Sequence, residues 1–316
     1  ENIGGLLSKK FRADSVDTPP IYDTCTKGLR KVAPYDYVFS AYAKGRWLKR
    51  TILDVFSSEF NYFRSSIFYE HAIKSGIVTV NGKIVDCEYI LENSDLVETR
   101  NHRHEPPVSS EKIIVVYEDE DMLVVSKPCS YPMHPTGKYR HNTLLHVLKY
   151  EMGYNQQLHL VNRIDRLTSG LCLIAKTKEK AAILGEMMRQ RNIKKTYLAR
   201  VRGEFPSDIT ECHEPIFTLS HKVGVNIVAP EGKPCSTKFT FLSYNGLTSL
   251  VKCEPLTGRT HQIRVHLQYL GYPIANDPQY GGSHAWGEHL GKGGIDQENR
   301  DQVLDRFSNS VFPDVN

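Results

Sequence analysis

The sequence predicts an α+β fold in two folded parts, and three observations point there. Hairpin signals recur, with Asn81-Gly82 and Tyr244-Asn245-Gly246 each lying between β-rich runs. Helical periods are interspersed among these runs without the strict alternation that builds a regular parallel wound sheet. A polar stretch with two prolines, His102-Arg103-His104-Glu105-Pro106-Pro107, reads as a linker. The 316 residues suffice for two domains, set at 31–107 and 108–286. Before them, residues 1–30 show no sustained period and contain Pro19-Pro20, as an extension would. After them, residues 287–316 carry Gly291, Gly293, Gly294 and mixed charge, and are expected to form a peripheral tail.

In the first domain, Trp47, Leu48, Ile52, Val55 and Phe56 give residues 46–56 a helical period. A second helix is predicted over 65–74, ended by Ser75-Gly76, where glycine suits a C-terminal cap. Residues 77–85 then read as a hairpin about Asn81-Gly82. In the second domain, β-rich runs at 112–117 and 122–126 flank the polar turn 118–121. A helix over 142–150, a strand over 171–175, a helix over 178–191 and a strand over 196–201 follow. Ile183, Leu184, Met187 and Met188 are expected on the inward face of the longer helix. Strands over 239–242 and 249–253 form a further hairpin, and a helix over 260–270 stops at Gly271.

Composition narrows the class. No apolar run approaches the roughly 18 residues of a membrane-spanning helix. The net charge of +4 decides little, so local clusters must carry any argument about nucleic acid. The seven cysteines are odd in number, scattered, and never spaced C-x-x-C, which argues against a disulfide framework or a zinc site. They predict free thiols in a reducing, intracellular compartment, with cytoplasm, mitochondrion and nucleus left open.

Three segments could carry chemistry. In Asn162-Arg163-Ile164-Asp165-Arg166-Leu167-Thr168-Ser169-Gly170, an aspartate stands between two arginines that favour its ionised form. Such a carboxylate can serve as nucleophile or base. From spacing alone it reads equally as a turn residue capping backbone amides. The second segment, 176–202, holds nine cations (Lys194 and Lys195 among them) against Glu179 and Glu186. That patch suits a phosphate backbone, or a merely solvated face. The basic Lys44, Arg46, Lys49 and Arg50 at the start of the first predicted helix offer the same choice. In the third, Gly258-Arg259-Thr260-His261-Gln262-Ile263-Arg264, the arginine falls at the margin of the stripe formed by Ile263, Leu267 and Leu270. A cation held there needs a partner, and a carboxylate is the natural one. His261 and His266 are five apart, which misses helical zinc-pair spacing and excludes a metal reading.

Arg163-Ile164-Asp165-Arg166-Leu167-Thr168-Ser169-Gly170 resembles the H-R-L-D-x-x-T-S-G motif of the RluA-type pseudouridine synthases. The resemblance extends over Val124 to Lys127 with Pro128, His134-Pro135 and Asn142-Thr143-Leu144. It continues through Lys195-Thr196-Tyr197, Gly232-Lys233-Pro234, Gly258 to Leu267 and Asn276-Asp277-Pro278-Gln279-Tyr280. Residues 31–107 are similar to the small S4-type RNA-binding domain, on Arg46-Trp47, Gly76-Ile77-Val78, Val80-Asn81-Gly82-Lys83 and Asp95. The arrangement is most similar to the eukaryotic subgroup, some of whose members modify the anticodon stem-loop of tRNA.

The resemblance implies a pseudouridine synthase fold, with a mixed, mostly antiparallel sheet and flanking helices behind an S4-like α/β domain. It implies that uridine in RNA, most of all tRNA, is isomerised after base flipping, without cofactor or metal. By the same resemblance Asp165 is the catalytic aspartate, Tyr197 lies against the target uracil, and Arg264 pairs with Asp165. Arg163 fills the gap left by the flipped base; Arg166 and, from their clustered charge, Lys194, Lys195, Lys44, Arg46, Lys49 and Arg50 are expected to contact RNA. Asn162 and Ile164 depart from the motif's histidine and leucine. A glycosidase would need two carboxylates across one bond, and one stands out here. The remaining alternative is a non-catalytic RNA-binding protein descended from such an enzyme.

Overall fold

A computed structural model describes residues 19–309, except 25, 61–64, 222 and 290. Most of the predicted N-terminal extension, residues 1–18, lies outside the described residues, as does Cys25. The chain divides into two compact units, residues 1–111 with 134–153, and residues 112–133 with 154–316. Every strand pairing among the described residues is antiparallel apart from a parallel bridge at Gly203 and Thr248, and helices flank the sheets, giving the expected α+β class.

In the first unit β1 (Tyr22–Asp23), β2 (Leu29–Val32) and β6 (Val108–Ser109) make one small sheet. A second is ordered β3 (Tyr35–Tyr42), β5 (Leu96–Arg103), β4 (Val78–Val80). Helices α1 (Ile52–Glu59) and α2 (Ser66–Lys74) bury Ile52, Val55, Ala72 and Ile73 with Val78 and Val97 in one core. The first helix starts later than its apolar period suggests. Lys49 takes a left-handed φ of 63°, and the Thr51 hydroxyl then caps the Asp54 amide. Residues 44–50 therefore precede the helix, in a 3₁₀ turn and loop. The Asn81-Gly82 turn forms as expected, with both residues at positive φ and Val80 bonded to Lys83. Beyond that bridge the partner of β4 is β5, not residues 83–85.

The linker reading fails at both ends. His102 and Arg103 belong to β5, and Glu105 is buried. Its carboxylate accepts the amides of Arg140, His141 and Asn142 at 2.9–3.0 Å and the Tyr35 hydroxyl at 2.5 Å. Those amides lead into α3 (Leu144–Tyr150).

The second unit contains two four-stranded sheets. One is ordered β7 (Ile114–Glu118), β8 (Met122–Lys127), β10 (Gly170–Ala175), β9 (His159–Leu160). After it comes α4 (Lys178–Arg189). The other sheet is ordered β11 (Tyr197–Arg202), β16 (Thr248–Pro255), β15 (Thr237–Tyr244), β12 (Glu211–Cys212). Strands β13 (Ile216–Ser220) and β14 (Val225–Val228) pair as a hairpin. Helix α5 (Gln262–Tyr269) lies between two cores, sending Val265 into the hairpin's core and Leu267 among Val201, Phe239 and Val251. The short α6 (Ser283–Trp286) precedes α7 (Arg300–Asn309). The tail is not peripheral, because Val303 and Phe307 are buried with Trp286 and Tyr280. On α4 only Leu184 is buried, and Ile183 is 58% exposed, so the expected inward face is narrower than its apolar content. Among the described residues no helix is long and apolar enough to cross a membrane.

The Asn81-Gly82 turn yields a prediction. The Asn81 amide donates to Asp95 at 2.8 Å and accepts the Leu96 amide at 2.9 Å. Asn81→Ala is expected to cost about 2 kcal/mol, from lost hydrogen bonds and a left-handed backbone that alanine tolerates poorly. Urea unfolding followed by Trp47 fluorescence, in a Trp286→Phe background, measures it.

Candidate active site

The loop between β9 and β10 carries Asp165 and is pinned at several points. Its turn closes with the Thr168 amide on the Asp165 carbonyl at 3.1 Å. Lys127 is wholly buried and donates to the carbonyls of Pro128, Tyr131 and Arg166 at 3.0, 2.9 and 3.2 Å. Burial pushes its pKa down to about 8, and the three carbonyl oxygens take up the three ammonium protons. The Cys129 thiol bonds the Leu167 carbonyl at 3.0 Å. Asn162 has a local role, its side-chain oxygen accepting the Leu173 amide of β10 at 2.7 Å. Ile164 is buried, while Arg163 beside it is exposed.

The structure brings Asp165 and Arg264 together. Arg264 projects from the first turn of α5 and donates from Nη1 to Asp165 Oδ2 at 3.1 Å. Its other edge is held by Asp277, through Nε at 2.6 Å and Nη2 at 3.1 Å. Nη2 also reaches Gln279 Oε1 at 3.1 Å, and the guanidinium lies 4.7 Å from the Tyr280 ring centroid. Burial opposes the charge on Arg264, but the Asp277 and Asp165 carboxylates outweigh it and raise its pKa. Burial likewise opposes ionisation of Asp277, yet Arg264 and the amides of Tyr280 and Gln279 hold its carboxyl below the ordinary value.

The Asp165 side chain is 32% exposed. Among the described residues its hydrogen bond to protein is made by Oδ2, and none is made by Oδ1. Tyr197 opens β11, and its phenol pKa is raised by burial and then by the Asp165 charge. His261 Nε2 stands 3.8 Å from Asp165 Oδ2, and burial pushes its pKa down to about 4, so the imidazole is neutral at ordinary pH. Lys127, His261, Asp277 and Gln279 were not singled out by charge or period. All four lie in the family-like segments, and that was their available signal.

The basic residues separate into different settings. Lys194 is exposed, and Lys195 is half-buried, with Nζ 3.4 Å from the Thr257 carbonyl. In the first unit Arg46 pairs with Glu59 at 2.8 Å, and Arg50 with Asp54 at 2.7 Å. Lys44 lies over the Trp47 ring, and Lys49 is exposed. Two of those four cations are therefore balanced by carboxylates within the unit. Among the described residues, no three His, Cys, Asp or Glu side chains converge as a metal ion would require.

Removing the Asp277 charge strands a buried guanidinium. Asp277→Asn is expected to lower stability by about 3–5 kcal/mol in chemical denaturation at pH 7. Because the folded carboxyl titrates below its unfolded value, this stabilisation is complete above the unfolded pKa of about 4. It disappears as pH falls through the folded value, so the wild type and the variant should converge in acid.

A family model described as RNA pseudouridylate synthase matches residues 121–269, which include Asp165, Tyr197, His261 and Arg264. Pseudouridylate synthase RPUSD2 of Homo sapiens is 48% identical over 278 residues, covering 88% of this chain and 50% of that protein. The mitochondrial tRNA pseudouridine(32) synthase of Saccharomyces cerevisiae is 43% identical over 292 residues, covering 91% of this chain and 62% of that protein. The tRNA pseudouridine(31) synthase of the same yeast is 35% identical over 301 residues, covering 80% of this chain and 72% of that protein. The chain thus spans half the length of the human relative.

Proposed function

Because the chain belongs to the RNA pseudouridylate synthase family, we propose that it isomerises uridine in RNA to pseudouridine with Asp165 as the catalytic carboxylate. The observation that carries this is the Asp165 carboxylate, held by Arg264 at 3.1 Å with its second oxygen unclaimed among the described residues. The reaction breaks the N1–C1′ bond, turns the uracil and rejoins it through C5, whose hydrogen leaves as a proton. Substrate and product are isomers, so the reaction itself calls for no oxidant or group donor. Asp165 can attack C1′, add to C6 or take the 2′ hydrogen, and Arg264 serves each route by aiming the carboxylate. Tyr197, beginning the neighbouring strand, is assigned to the face of the flipped uracil. Arg163 is assigned to the space the base leaves.

The substrate proposed is tRNA, in its anticodon stem-loop. Two yeast relatives are named as tRNA pseudouridine synthases, and looped bases cost less to extrude than stacked ones. RNA-binding roles are proposed for Arg166, Lys194 and Lys195, and for an S4-like domain over 31–107 acting through Lys44, Arg46, Lys49 and Arg50. The six described cysteines are free, which fits an intracellular, reducing compartment.

The test uses tRNA tritiated at uridine C5. Wild-type protein should release tritium, and Asp165→Asn should release none while binding the same RNA with unchanged affinity. Turnover by the Asn variant would remove Asp165 from the mechanism. An inert wild type, on every RNA class, would favour an RNA-binding protein instead.

The first unit calls for point changes, because cutting at residue 105 removes the carboxylate that holds the backbone of 140–142. Changing Lys44 and Lys49 together to Ala should weaken tRNA binding severalfold and reduce the salt slope by about 1–2. Filter binding at several salt concentrations reads both quantities. An unchanged slope would remove these lysines from the interface.

A further inference from the structure

His261 has no part in the reaction as proposed, yet its placement is unusually determined. Its backbone φ is 57°, the left-handed conformation that side chains bearing a Cβ disfavour. Strain of this kind is retained where surrounding structure over-determines it, often at functional sites. The side chain is 8% exposed and sits between two groups, with Nδ1 2.8 Å from the Tyr280 hydroxyl and Nε2 3.8 Å from Asp165 Oδ2.

The Tyr280 hydroxyl decides where the imidazole proton lies. That oxygen accepts the Asn226 amide at 3.0 Å, and the whole ring is buried. Burial raises the phenol pKa, so the hydroxyl keeps its proton and needs an acceptor for it. Among the described residues the acceptor at hydrogen-bond distance is His261 Nδ1. An imidazole that accepts at Nδ1 and stays neutral carries its proton on Nε2, the nitrogen that faces Asp165.

We propose that His261 is a positioning residue for Asp165, its Nε2–H a second donor to the oxygen already held by Arg264. The pair of donors turns Oδ1 toward the uridine and adds no second positive charge to blunt the carboxylate. At 3.8 Å the two atoms stand just beyond hydrogen-bond distance, and catalytic contacts commonly tighten when substrate fills the site. The inference rests on the isomerase reading for its consequence and on the Asn226–Tyr280–His261–Asp165 chain for its geometry.

Two measurements test it. Imidazole ¹⁵N shifts of the wild-type protein report the tautomer directly, and His261 should be neutral with its proton on Nε2 from pH 6 to 8. A proton on Nδ1 overturns the proposal. Single-turnover tritium release should slow about tenfold or more in His261→Phe, which fills the space without a donor, while RNA affinity stays unchanged. His261→Gln, whose amide N–H reaches as far as Nε2, should recover most of that rate. A Phe variant as fast as wild type, or a Gln variant as slow as Phe, also overturns it. The ¹⁵N measurement needs no variant, so refutation remains possible even if His261→Phe does not fold. An Nε2–H imidazole in a protein that releases no tritium would uphold the contact and defeat the isomerase reading alone.

Discussion

One buried guanidinium sets the terms for the site. Arg264 is 9% exposed, and a cation so placed is tolerated only if its donors are used. Asp277, Gln279 and Asp165 take them, and the Tyr280 ring lies against the remaining face. Asp277 makes two of those contacts and Asp165 one, so the larger share of the positive charge is turned toward Asp277. This division matters. A carboxylate in a full bidentate pair has both oxygens engaged, whereas one held by a single donor keeps its place with one oxygen less constrained. The helix that delivers Arg264 is buried on most of its circumference, which fixes the direction from which the charge arrives.

The fold was legible wherever local signals agreed with tertiary demand. The hairpin of β15 and β16, the strand at β10 and the helix at α4 all fall close to their predicted positions. Strands β3 and β5 were missed because exposed polar residues, such as Asp36, Ser40, Arg100 and His102, leave little alternation to read. Their eight-residue pairing is held by the backbone ladder, which leaves no trace in composition. On α4 the error ran the other way, since an apolar residue on a helix need not be buried. In α7, Val303 and Phe307 are the i, i+4 pair that reaches the core, in a segment otherwise dominated by polar residues. The need of Arg264 for a carboxylate could be argued from the helical wheel, but Asp165 lies 99 residues away and was supplied by resemblance. That a second carboxylate would come from a turn was not readable.

The motif's departure at residue 162 looks different once its partner is known. Asn162 serves the Leu173 amide within β10 and does so through an acceptor oxygen. Lys127 works from the other side, gathering three carbonyls around one ammonium. Between them the carboxylate-bearing loop is ordered as part of folding, so little conformational freedom is left to lose when a ligand meets it.

Glu105 has a consequence for how the chain comes off the ribosome. The backbone it holds, 140–142, is made only after the β7–β8 hairpin of the other unit has emerged. At roughly 5–20 residues per second, the interval between acceptor and donors is about two to seven seconds. During that interval a carboxylate destined for the interior waits in solvent with its three amides unmade. Vectorial synthesis therefore cannot finish the first unit before the second has begun, and the two must mature in overlap rather than in sequence.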